Sequence, residues 1–186
     1  MRFLTFLTVS LLAVLPATSQ NLSGLSNFHQ VNAKLFRGGQ PSAAGMEQLH
    51  KLGVTTVVDL RESGERAEAE KKVVESLGMR YVNVPMRGMH TPEPGQVAKV
   101  LSIIDDNADG AVFVHCRRGA DRTGAVVAIY RITHNGWDNG KALSEARALG
   151  MSRFQIALQH YVRDYRPERN AAISAPAGVP ALVPAN

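Results

Sequence analysis

Two short runs, VTTVVDL at residues 54–60 and AVFVH at 111–115, constrain the fold more than any other part of the chain. A strand with one wet face alternates apolar and polar residues, but these runs are β-branched or apolar at nearly every position, as strands covered on both faces are. The covering layers must be helices, and the sequence around the runs supplies helical periodicity. PSAAGMEQLHKLG predicts a helix with Ser42 as N-cap and Gly53 just past its end. SGERAEAEKKVVESLG predicts a second, closed by Gly78 and followed by a strand at RYVNVPM. In TPEPGQVAKVLSIIDDN, Thr91 takes an N-cap position with Pro92 in the first turn, and Val97, Val100, Leu101 and Ile104 share one face. FHQVNAKLFRGG reads as a two-strand entry, TGAVVAIYRITHNG as a helix ending near Gly136, and two more helices are expected over about 138–149 and 152–165. The expected fold class is α/β, a central mainly parallel sheet flanked by helices.

The 186 residues suit one domain. The segment MRFLTFLTVSLLAVLPATSQ has one basic residue, a short apolar run and then small residues, the layout of a signal peptide over residues 1–19. The chain is therefore expected to be exported, periplasmic or secreted, with no stable membrane insertion once the leader is cleaved. A polar lead-in over about 21–26 precedes the expected folded domain at 27–166, and the Ala- and Pro-rich tail at 167–186 is expected to be disordered. The net charge of +5, one unit of it from Arg2 in the leader, comes from scattered residues and gives no reason to expect nucleic acid.

Export makes the single cysteine informative, because Cys116 has no internal disulfide partner. It opens a loop, CRRGADRTG, between the strand at 111–115 and the following helix, where strand-to-helix loops of such sheets bind ligands. Backbone N–H groups of Arg117, Arg118, Gly119, Ala120, Asp121 and Arg122 would form an anion nest at a helix N-terminus, with Gly119 and Gly124 allowing close approach. Arg122 returns six residues after Cys116, and its planar fork can hold two phosphate oxygens. Its charge, with the nest and the helix dipole, would depress the thiol pKa and put a thiolate beneath a bound phosphoryl group. The Thr123 hydroxyl is placed to hydrogen-bond the sulfur as it leaves.

HCRRGADRTG resembles the signature loop of the cysteine-dependent phosphatases, His-Cys-x5-Arg-Ser/Thr-Gly. LFRGGQPS, GVTTVVDLRE and YVNVPM are similar to segments of their small atypical dual-specificity branch, so the resemblance covers roughly residues 27–165. It implies a nucleophile at Cys116, a phosphate-binding arginine at Arg122, a hydroxyl for intermediate hydrolysis at Thr123 and loop support from His115, with Gly124 beside them. The implied reaction is metal-independent hydrolysis of phosphomonoesters through a phosphocysteine, with no cofactor. Six histidines and one cysteine dispersed without zinc-ligand spacing agree with that.

These enzymes usually carry an aspartate general acid about thirty residues before the cysteine, and PMRGMHTPEPGQ has none. His90, Glu93 and Asp121 are the candidates, against surface, helix-turn and ion-pairing roles respectively; for Asp121 the alternative is an outward-facing side chain paired with Arg117 or Arg118. Asp59, at a strand end, could approach the site too, but it and Arg61 read rather as a structural ion pair or a cap for the next helix. Arg117 and Arg118, with Arg87 and His90, would favour phosphorylated partners such as a phosphoprotein, a phosphoinositide or an inositol phosphate. The competing readings are a phospho-ligand binding protein without turnover and a rhodanese-like sulfurtransferase.

Overall fold

The computed structural model describes residues 23–93 and 95–167. The expected leader, and the expected tail beyond residue 167, lie outside the described residues. The strands are β1 (His29–Asn32), β2 (Leu35–Gly39), β3 (Val54–Asp59), β4 (Arg80–Asn83) and β5 (Ala111–Cys116). The helices are α1 (Ala43–Lys51), α2 (Glu65–Ser76), α3 (Gln96–Asp105), α4 (Asp121–Asn135), α5 (Asn139–Ala148) and α6 (Ile156–Arg163). They build the α/β architecture expected from the two apolar runs. One sheet has the order β1-β2-β5-β3-β4, and only the β1–β2 pair is antiparallel.

Period-two alternation along β5 sorts its side chains between the layers. Val112, Val114 and Cys116 join the core made with α3, α4, α5 and α6, whereas Ala111 and Phe113 face α1 and α2. Phe28, Phe36 and Phe113 stack on that second side, with ring centroids 5.5 and 6.3 Å apart. Each such buried side chain contributes roughly 1.5–3 kcal/mol of apolar transfer energy. The caps follow the sequence. Ser42 Oγ accepts from the Gly45 N–H at 3.2 Å, Asp138 accepts from Lys141 N–H at 2.8 Å, and Gly136 ends α4 in the left-handed region.

Three local expectations differ from the structure. α3 starts at Gln96 rather than just after Thr91, capped by Gly95 at φ +85. The Gln96 side chain, accepting from Glu93 N–H at 2.7 Å and donating to the Pro85 carbonyl at 2.7 Å, holds residues 91–93 outside the helix. α6 starts at Ile156 rather than 152, because Gln159 Nε2 donates to the Ser152 and Arg153 carbonyls at 3.0 and 3.1 Å and pins them as a loop. The lead-in before residue 27 is partly built into the fold: the Gly24 carbonyl accepts from Ser42 N–H at 3.0 Å, and the Ser26 carbonyl from Gly39 N–H at 2.8 Å. Among the described residues, no helix is long and apolar enough to cross a membrane.

Candidate active site

Parallel order brings the carboxyl ends of β2, β5 and β3 to one edge of the sheet, and Cys116 stands at the end of the central one, 2% exposed. Residues 117–120 then turn the chain into α4. Gly119 makes the turn possible. Its φ is +69, and a Cβ there would collide with the carbonyl of Gly38 and the nitrogen of Gly39 at the end of β2.

Three successive loop carbonyls are held from that side. Arg117 O accepts from Gln40 N–H at 3.2 Å, Arg118 O from Asn27 Nδ2 at 3.4 Å, and Gly119 O from Arg37 Nη2 at 2.5 Å. The N–H groups of Arg118, Gly119 and Ala120 have no acceptor among the described residues. Arg37 is only 1% exposed, and burial pushes its pKa down to about 10 although the Glu145 charge opposes the shift.

Arg122 leaves the first turn of α4 and donates through Nη1 to the carbonyls of Leu60 and Met86, at 3.2 and 3.1 Å. That tether spends one corner of the fork and leaves Nε and Nη2 for a ligand. Arg122 lines a cleft of about 330 Å³ with Gln40, Arg61, Glu62, Arg66, Gly88 and Arg117. The guanidinium groups of Arg66, Arg117 and Arg122 and the Glu62 carboxylate therefore surround the space beside the loop, while that of Arg61 is turned inward onto Asp59 and Glu70.

The other candidates divide. Asp121 is buried and fully engaged: Oδ2 pairs with Arg118 Nη2 at 2.5 Å and Oδ1 accepts from Ser152 N–H at 2.9 Å. It pairs with Arg118, as the ion-pairing alternative has it, but it is buried rather than outward-facing, because it ties α4 to the loop before α6. His90 and Glu93 are exposed and line a neighbouring cleft of about 360 Å³, which meets the first at Glu62. The His90 ring is 2.7 Å from the Gly88 carbonyl. Since α3 starts later than expected, Glu93 is not in a helical turn. Thr123 Oγ1 is buried with no hydrogen-bond partner among the described residues, so it makes no bond to the Cys116 sulfur here. Gly124 packs on Ala146 and Met151 within α4.

His115 is fully buried beneath the loop with Asp59, Arg61, Glu70 and Tyr81. Its Nε2 lies 2.8 Å from Glu70 Oε1, although the ring is turned off the line of a regular hydrogen bond. Arg61 bridges Asp59 at 2.6 Å and Glu70 at 2.8 Å. Burial would raise the Asp59 pKa, but the Arg61 hydrogen bonds, with His115 and Tyr81, outweigh it and hold the carboxyl below its ordinary value. Burial likewise opposes the rise at Arg61, and the Asp59 bond and charge overcome it. Asp59, Glu70 and His115 bring three potential metal ligands within 4.8 Å of one another, yet Arg61 already supplies the cation between the carboxylates.

Sequence reasoning did not anticipate Gln40, Glu62 and Arg66 on the cleft wall or Asn27 and Arg37 behind the loop. The quoted segment LFRGGQPS contained Arg37 and Gln40, and the two glycines beside them were the available signal of close backbone approach.

A cysteine closing the central strand, a nest of free N–H groups and an arginine across it, all on a five-stranded α/β sheet, define the cysteine-dependent phosphatase architecture. Within that class, residues 8–164 match the family described as PTP-NADK, DSP-PTPase phosphatase fused to NAD+ kinase, and the chain belongs to that family. Dual specificity protein phosphatase TpbA of Pseudomonas aeruginosa is 31% identical over 139 residues, which are 73% of this chain and 60% of that protein. The chain thus spans about 60% of the length of that relative. Inositol diphosphatase DSP2 of Oryza sativa subsp. japonica is 30% identical over 110 residues, 56% of this chain and 53% of the relative. The crystal structure of P. aeruginosa TpbA superposes with a TM-score of 0.68 at 25% identity, covering 81% of this chain and 92% of the other.

Proposed function

We propose that this protein is a cysteine-dependent phosphatase that hydrolyses phosphomonoesters through a phosphocysteine intermediate. One observation carries the reading: Cys116 ends the central strand at the start of a loop whose N–H groups are unpaired, with the free edge of Arg122 in the cleft beside that loop. A dianionic phosphoryl group on that nest meets the Cys116 sulfur from below. The thiolate attacks phosphorus, the P–S bond forms and the ester P–O bond breaks. Glu62, the carboxylate on the cleft wall, gives its proton to the leaving oxygen. It then takes a proton from the water whose oxygen attacks the phosphocysteine, and the P–S bond breaks to return the thiolate. Thr123 rotates its unpartnered hydroxyl to the departing sulfur, and Arg122 holds two phosphoryl oxygens throughout. No step uses a metal.

The substrate class that fits best carries more than one phosphoryl group, because Arg66, Arg117 and Arg122 ring the cleft. An inositol phosphate or phosphoinositide meets that description better than a phosphoprotein, and one relative is named an inositol diphosphatase. The leader-like segment at residues 1–19 supports export, to a periplasm or beyond the cell. The test is hydrolysis of p-nitrophenyl phosphate and of an inositol phosphate panel in EDTA. Wild-type turnover should vanish in Cys116→Ser, and Arg122→Lys should lower kcat/KM by roughly 10²–10³-fold. Turnover that survives Cys116→Ser overturns the mechanism, and binding without any turnover makes the protein a phospho-ligand receptor.

A further inference from the structure

The phosphate nest is not shaped by the loop alone. Every peptide bond in the described chain is trans, so each carbonyl points opposite to the N–H of the next residue. Gln40 N–H, Asn27 Nδ2 and Arg37 Nη2 hold the carbonyls of Arg117, Arg118 and Gly119 from one side. The N–H groups of Arg118, Gly119 and Ala120 must then point to the other side, where they join those of Arg117, Asp121 and Arg122, which likewise have no acceptor among the described residues.

We propose that residues 27–40 form a clamp that aims the anion-binding N–H groups, and that Arg37 is its principal positioning residue. This deepens the phosphatase reading and rests on it. Arg37 is suited to the task by its place in the sheet. It pairs in register with Val114, two residues before Cys116, and its side chain runs up the α4 side of the sheet to reach the Gly119 carbonyl. A guanidinium is the one side chain that can reach a carbonyl and keep its charge when almost fully buried. Nε and Nη1 have no hydrogen-bond partner among the described residues, so the charge is not neutralised by a contact carboxylate, and it attracts a Cys116 thiolate. A buried arginine with two idle nitrogens is a poor device for stability alone.

The experiment compares vanadate, which mimics the five-coordinate transition state, with inorganic phosphate as ligands of wild type, Arg37→Met, Arg37→Lys and Asn27→Gly. Melting temperature and p-nitrophenyl phosphate kinetics are recorded for each. Misaimed donors should weaken vanadate binding in Arg37→Met by about 10–100-fold, less than the loss of whole donors, with phosphate binding weakened less and the defect carried by kcat more than KM. Arg37→Lys keeps a donor but not the fork or a secure charge in so buried a place, and should recover only part of the loss. Asn27→Gly keeps the left-handed backbone at φ +46 but lacks the side-chain donor, and should lose roughly 3–10-fold in vanadate affinity. Folded Arg37→Met with wild-type vanadate affinity overturns the inference. Where Arg37→Met fails to fold, unchanged vanadate affinity in Asn27→Gly overturns it instead. A wild type that neither binds vanadate nor turns over overturns the phosphatase reading and the clamp with it.

Discussion

Replacing Gly119 by alanine tests how tightly the loop after Cys116 is seated on β2. Two penalties combine at this position. At φ +69 an alanine carries the left-handed penalty of roughly 1–2 kcal/mol. Its Cβ would also press into the Gly38 carbonyl and the Gly39 nitrogen, which are backbone atoms in a buried strand and cannot swing aside. Overpacking of that kind adds about 1–3 kcal/mol. Gly136 supplies the control, because its φ is +64 but nothing lies within 4 Å of the added carbon. Gly136→Ala should therefore carry the backbone penalty alone. For a domain of this size, 1 kcal/mol corresponds to about 2–4 °C in Tm, so Gly119→Ala should melt about 10 °C below wild type and Gly136→Ala only about 4 °C below. Calorimetry gives both values, and vanadate affinity should fall only in Gly119→Ala. Equal Tm values for the two variants, with the anion site intact, would refute the rigid seating of the loop on β2.

Two further expectations concern protons. Glu62→Gln should lower kcat on an alkyl phosphate by about 10²–10³-fold while changing p-nitrophenyl phosphate turnover little, since that leaving group scarcely needs protonation. Equal effects on both substrates would remove Glu62 from the proton-transfer step. Asp59→Asn should destabilise the protein by about 3 kcal/mol in urea melts at neutral pH, because Arg61 loses its main charge partner. The Asp59 pKa is held below 3.8 in the folded state, so its contribution is complete above that pH and is lost as pH falls through the folded value. The variant should lack this part of the acid limb, and an unchanged acid limb would count against the role of the pair.

The sheet and the loop were legible in the sequence because each is written locally. VTTVVDL and AVFVH announce buried strands, and the spacing from Cys116 to Arg122 fixes the reach of one turn into a helix. Other features depend on partners distant along the chain. Nothing beside Arg37 in the sequence marks it as buried, and its burial comes from the α4 layer above it. Glu62 and Arg66 follow β3 and reach the cleft only because β3 lies next to β5. TPEP carries ordinary helix-start residues, but Gln96 ties that segment back to Pro85 and moves the start to its own position. The buried engagement of Asp121 depends on Ser152, thirty-one residues away.

The strand order also governs how the protein assembles during synthesis. β2 and β3 are made early and are close in sequence, yet they never pair with each other; each waits for β5, which is inserted between them. Until that strand arrives, both carry open parallel edges, the kind of surface that joins neighbouring chains into aggregates. The strand that seals this gap is the one that ends in Cys116, and the loop carbonyls reach their holders on residues 27–40 only when it is in place. Partly folded chains therefore lack the seated loop, and closure of the sheet and assembly of the candidate site are a single event.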